Sequence, residues 1–124
     1  MNRKELRKKV YDKYGGHCAY CGKKIALEDM QMDHIKPRWH NVTQNELDGL
    51  KIEKGTNDIE NLYPSCRRCN FRKGTMDIEQ FRKEIGLQCK RIMSSSFQVK
   101  QSVDYGLLGY HNRSIVFYFE KDVK

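Results

Sequence analysis

Two Cys-x-x-Cys pairs, Cys18/Cys21 and Cys66/Cys69, constrain this chain more than any other feature. Two thiols separated by two residues reach one ion when the backbone between them turns tightly, and two such pairs make the ligand set of a structural zinc site. Gly22, directly after the first pair, suits such a turn. A Zn²⁺ held by Cys18, Cys21, Cys66 and Cys69 would pin residues 18 and 69 together and fix whatever lies between them. A closed shell of four thiolates keeps no open position, so this metal is a staple and not a catalyst. His17 adjoins the first thiol, but four thiols already complete the shell.

A chain of 124 residues is one domain by default, with a modest core. Lys and Arg number 24 against 16 Asp and Glu, a formal net charge of +8, and most of the excess lies in residues 1–75 with the cysteine pairs. Such a balance fits a polyanionic partner, nucleic acid in particular. The chain is 38% hydrophobic and 32% charged, which describes a soluble protein. No apolar run approaches the roughly 20 residues of a membrane span, so no membrane partner is expected. The first residues, MNRKELRKKV, hold no apolar core of a secretory signal. Five cysteines without a signal point to a reducing, cytoplasmic setting and to metal binding over disulfides. Cys89, outside the pairs, reads as a small buried hydrophobe.

Along the chain, residues 2–14 have helical periodicity, with Leu6, Val10 and Tyr14 on one face and Gly15-Gly16 ending it. Arg3, Lys4, Arg7 and Lys8 form its polar face. Residues 30–32 read as extended and lead into Asp33-His34, after which Pro37 blocks a helix. Residues 39–57 read as an irregular loop, with Asp48-Gly49 as a candidate hairpin turn. A short helix is predicted over 67–73, stopped by Gly74, and a second over 77–85 with Ile78, Phe81 and Ile85 inward and Gly86 closing it. Ser94-Ser95-Ser96 marks a break. Residues 105–110 and 114–120 read as a β-hairpin, because the run 115–119 is strongly strand-forming.

Asp33 and His34 are the first residues suited to chemistry. Neighbours on a strand point to opposite sides, so one can face a metal while the other turns toward a water. Taken with their surroundings, C18-A-Y-C21, D33-H34-I35-K36-P37, N61-L62 and C66-R67-R68-C69-N70-F71-R72-K73-G74 form an ordered pattern. It resembles the HNH nuclease family over residues 15–75. The resemblance implies a ββα-metal core, a two-stranded hairpin and a helix clasping one divalent ion. By it, His34 matches the first letter, Asn61 the second and Asn70 the third, where Asn replaces His to give an H-N-N set.

The expected fold is therefore α+β. A zinc-stapled ββα-metal core with an N-terminal helix occupies residues 1–75, and a helix plus β-hairpin extension, residues 76–124, packs on it within one domain. The expected activity is metal-dependent hydrolysis of duplex DNA, by nicking or cleavage, in a bacterial or phage-infected cell. His34 would be the general base, since imidazole titrates near working pH. Asp33 and Asn70 offer hard oxygens to a catalytic Mg²⁺ or Mn²⁺. Asn61 would hold the loop backbone, and the family implies 5′-phosphate and 3′-hydroxyl products. Lys73, one turn after Asn70, can face the same phosphate. Arg67, Arg68 and Arg72 are candidates for backbone contacts. Trp39 and His40 open the long loop; Trp39 reads as a core residue and His40 as an auxiliary phosphate contact. The tail resembles those of small stand-alone HNH proteins of phages and bacteria. An exposed hairpin face there would suit a second copy, or a restriction or phage-packaging partner. A zinc-stapled DNA-binding module without nuclease activity needs only the cysteines and the basic face. A third reading is a zinc domain that binds protein.

Overall fold

The structure, a computed structural model, describes residues 1–39 and 42–121. Helix α1 (Arg3–Asp12) is capped by Asn2, whose side chain accepts from the Glu5 N–H. Strand β1 (Gln31–His34) and strand β2 (Leu62–Ser65) pair antiparallel, with Asp33 opposite Tyr63 and His34 opposite Leu62. Between them lies helix α2 (Gln44–Leu50), and after β2 come α3 (Arg67–Lys73), α4 (Ile78–Ser95) and α5 (Phe97–Asp104). These elements divide into two compact units, Met1–Asp77 with the C-terminal segment from Phe117, and Ile78–Val116.

In the first unit, α1 lays its apolar face on the strands. Val10, Met30 and Leu62 are its buried centre, with Leu6, Tyr11, Ile25, Met32 and Ile59 packed around them. The charged face of α1 also holds structure. Arg7 donates to the carbonyls of Leu27 (2.8 Å) and Met30 (3.0 Å), and Lys13 donates to those of Ile59 (2.9 Å) and Leu62 (2.7 Å). β2 is bonded on its other side too, since Ala19 donates to the Pro64 carbonyl at 2.8 Å. The first cysteine pair is thereby attached to the sheet as well as to any metal.

The C-terminal segment departs from expectation. No β-hairpin forms over residues 105–120 among the described residues. The N–H groups of Gly106, Leu107 and Leu108 instead satisfy the last carbonyls of α5, at Val103 and Ser102. Tyr118 and Phe119 donate to the carbonyls of Tyr20 (2.9 Å) and Ala19 (2.8 Å), so the strand-forming run spends its hydrogen bonds on the first cysteine pair. Rings follow: Tyr63 and Phe119 lie 4.8 Å apart and Tyr20 and Phe117 5.3 Å apart.

Three further expectations are corrected. The loop 39–57 contains α2, capped by the Thr43 hydroxyl, and Asp48-Gly49 lies inside that helix. α4 runs through Gly86 to Ser95, because an added Cβ at Gly86 would only touch Ile115 at 3.6 Å and the glycine is not needed as a stop. The break falls at the serines, where Ser96 caps α5. Cys89 is exposed, because α4 faces solvent on every side from Cys89 to Ile92.

Candidate metal centre and active-site cleft

The thiol site is assembled by two turns of different kinds. At the first pair the backbone doubles back, with Gly22 at φ +79° donating to the Cys18 carbonyl at 3.0 Å. A side chain there would be strained by that φ and would meet the Tyr118 ring at 2.8 Å. At the second pair, Cys66 is the N-cap of α3 and its Sγ accepts from the Cys69 N–H at 3.5 Å. The Sγ atoms of Cys18, Cys21, Cys66 and Cys69 lie within 4.8 Å of one another. The Cys21 and Cys66 sulfurs are 3.9 Å apart. A tetrahedron with metal–sulfur bonds of about 2.3 Å has edges of about 3.8 Å, so the thiols fit a metal such as zinc. The Cys18 thiol is pushed down to about 4, chiefly by a hydrogen bond from Cys69, while that shared bond pushes the Cys69 thiol up. His17 stays outside it, its Nδ1 3.0 Å from the Tyr14 carbonyl and its ring stacked on Tyr118.

The second site is a cleft of about 420 Å³ lined by Asp33, His34, Trp39, Asn70 and Thr75 among others. β1 supplies Asp33 and His34, and α3 supplies Asn70. The Asn70 carboxamide makes no hydrogen bond among the described residues. His34 Nε2 lies 2.8 Å from Asn57 Oδ1. A carboxamide oxygen only accepts, so Nε2 is the donor in this bond, and in the neutral ring Nδ1 keeps the lone pair.

Asp33 is 3% exposed. Its Oδ2 accepts from the Tyr20 hydroxyl and lies 3.2 Å from Lys73 Nζ. Burial raises its carboxyl above the usual range, while the Lys73 ammonium and the hydrogen bonds oppose that rise. Lys73 is itself wholly buried and donates to the His34 carbonyl at 2.9 Å. The expected phosphate contact through Lys73 is therefore corrected: its face is shared with Asn70, but its charge is spent inside on Asp33.

Asn61 bridges two loop segments. Its Nδ2 donates to the carbonyls of Lys36 (3.0 Å) and Thr56 (2.8 Å), and its Oδ1 accepts from the Lys36 N–H at 2.8 Å. Gly55 lies so near that a Cβ there would sit 1.8 Å from the Lys36 carbonyl oxygen. Arg67, Arg68 and Arg72 are exposed on the outward face of α3, with Phe71 among them at 88% exposure. Trp39 is half-buried at the cleft wall, at φ +55°, and His40 lies outside the described residues.

Residues 18–75 match the family model described as HNH endonuclease. Residues 18–75 belong to the HNH endonuclease family. A 71-residue stretch is 34% identical to the CRISPR-associated endonuclease Cas9 of Corynebacterium diphtheriae, covering 57% of this chain and 5% of that protein. The crystal structure of the Type II-C Cas9 enzyme from Actinomyces naeslundii superposes with a TM-score of 0.50 and 26% identity, over 65% of this chain and 8% of that one. The chain thus spans a small fraction of both Cas9 relatives. Its two-stranded sheet, α3 and four-cysteine cluster agree with an HNH-like ββα core. Tyr20 and Asn57 were not singled out by the sequence, because a residue inside Cys-x-x-Cys and an Asn in a polar loop carry no distinctive spacing.

Proposed function

We propose that the HNH segment hydrolyses DNA phosphodiester bonds with His34 as general base and a divalent cation held by Asp33 and Asn70. The observation that carries this reading is the shared cleft. It joins an acid–imidazole pair on β1 to a carboxamide on α3, and the carboxamide has no hydrogen-bond partner among the described residues. Oxygen donors of this kind suit Mg²⁺ or Mn²⁺. Such an ion, when bound, neutralises charge on the scissile phosphate and on the departing 3′ oxygen. His34 takes the proton of the attacking water at Nδ1, and Asn57 keeps the ring in that tautomer. Asn61 holds the loop that follows β1 and does not touch the reacting atoms. Arg67, Arg68 and Arg72 steer the DNA backbone. By the resemblance to the family, the products carry a 5′-phosphate and a 3′-hydroxyl. Zinc is the ion we assign to the thiols.

The test is cleavage of supercoiled plasmid in Mg²⁺ or Mn²⁺. Wild type should nick or cut, and His34→Ala should lose a factor of about 10²–10⁴ in rate with metal content and melting temperature kept. Cleavage that persists in excess EDTA, or in His34→Ala, overturns the reading. A wild-type chain that shifts plasmid mobility but leaves it intact would be a zinc-stapled DNA-binding module.

A further inference from the structure

One side chain reaches from the thiol site to the cleft. Tyr20 stands between the ligands Cys18 and Cys21, and its carbonyl is fixed by the Tyr118 N–H at 2.9 Å. Its ring is 3% exposed and meets Tyr63, Phe117 and Phe119 edge-on, with centroids 5.9, 5.3 and 6.1 Å away. These contacts leave the ring one orientation, and in it the hydroxyl donates to Asp33 Oδ2. The second cysteine pair delivers a matching donor. Lys73 lies one helical turn beyond Cys69 on α3, and its ammonium is 3.2 Å from the same Oδ2. Each thiol-bearing element thus contributes one donor to one oxygen of Asp33. Its Oδ1 has no hydrogen bond among the described residues.

We propose that Tyr20 and Lys73 are positioning residues that lock Asp33 as a one-oxygen ligand. Through them, the ion in the thiol site sets the affinity of the cleft for its divalent cation. This rests on the reading of Asp33 as a ligand given above. A carboxylate with one oxygen saturated by two fixed donors presents the other in a single direction. Partners behind a metal ligand typically alter affinity by about 10–100-fold when removed. The two arms also start from the elements that the thiol-bound ion draws together, so a change in that ion's size moves both donors at once.

Mn²⁺ binding to the full chain, followed by electron paramagnetic resonance, separates the possibilities. Tyr20→Phe keeps the ring contacts and removes only the hydroxyl. It should retain its thiol-bound metal and a cooperative melt while its Kd for Mn²⁺ rises by about 10-fold or more. The Mn²⁺ concentration for half-maximal plasmid cleavage should rise in parallel, by more than the rate at saturation falls. A merely structural tyrosine would lower the melting temperature and leave Kd alone. If Tyr20→Phe binds Mn²⁺ as tightly as wild type, the clamp is wrong while the cleft reading stands. If Asp33→Ala binds Mn²⁺ as tightly as wild type, the cleft reading falls and takes the clamp with it. A second arm needs no substitution. Replacing the thiol-bound zinc by the larger Cd²⁺ in the wild-type chain should shift the Mn²⁺ Kd severalfold, and an unchanged Kd overturns the coupling.

Discussion

The thiol cluster and the cleft gather ligands in opposite ways. The four sulfurs point at one another within 4.8 Å, so the protein offers a cage that a metal would complete. In the cleft Asp33, the proposed ligand, already has its counter-charge, because Lys73 and Tyr20 hold it from behind. The first site would draw its stability from the ion it holds. The second has its charge balanced without one, and under the proposed reading would offer a metal the remaining oxygen of Asp33 and the Asn70 carboxamide. A structural metal and an exchangeable catalytic one call for this difference: the former must not leave, and the latter must admit substrate oxygens.

The largest effect should come from the cage. In Cys66→Ser the new residue is itself a good helix N-cap, so the change isolates the lost metal ligand. Structural zinc sites contribute on the order of 10 kcal/mol of apparent binding energy that is also folding energy. The variant should lose its bound metal and its cooperative thermal transition by circular dichroism, and cleavage with them. A wild-type melt in metal-free Cys66→Ser would show that the sheet and aromatic contacts hold the knuckles unaided.

Both sites were partly legible in the sequence, and the limits have physical causes. α3 was readable to the residue, because Cys66 can cap it and Gly74, at φ +53°, ends it. The spacing of Lys73 from Asn70 placed both on one face, but spacing cannot say whether that face meets solvent or a buried carboxylate. The β-propensity of residues 115–119 was real, yet the carbonyls of Ala19 and Tyr20 captured their N–H groups. Propensity describes a segment, whereas pairing depends on which edge is free. Asn61 was legible as a loop-holding residue, and its three hydrogen bonds agree with that reading.

An intermediate effect is expected at the buried pair. Lys73→Met should destabilise the chain by about 3–5 kcal/mol at neutral pH, because it strands a buried carboxylate. The sign with pH follows from Asp33. Its folded-state carboxyl already titrates above the usual range, so folding binds its proton more tightly than the unfolded chain does. Stability from this group is therefore present at low pH and lost as pH rises through the raised value. Without Lys73 the value rises further, so the deficit of Lys73→Met should shrink on acidification in the absence of added Mg²⁺ or Mn²⁺. Asp33→Asn in the same background should restore much of the loss. Denaturant melts at several pH values measure this, and a pH-independent deficit would mean that Lys73 acts through packing alone.

The smallest effect lies on the outward face of α3, away from the ligand atoms of both sites. Arg68 is exposed there beside Phe71, one turn from residues that face the thiols and the cleft. Arg68→Gln should leave metal content, melting temperature and Mn²⁺ affinity unchanged, since the Arg68 side chain, although beside the second thiol pair, makes no hydrogen bond or ion pair among the described residues. Its effect should appear only in DNA binding, as a severalfold weaker Kd and a slope of log K against log salt reduced by about 1. Fluorescence anisotropy with a short duplex at several salt concentrations reads both. An unchanged slope would remove Arg68 from the DNA path and turn attention to the other exposed arginines of α3. A change in Mn²⁺ affinity would mean that the outer face of this short helix is not independent of its inner one.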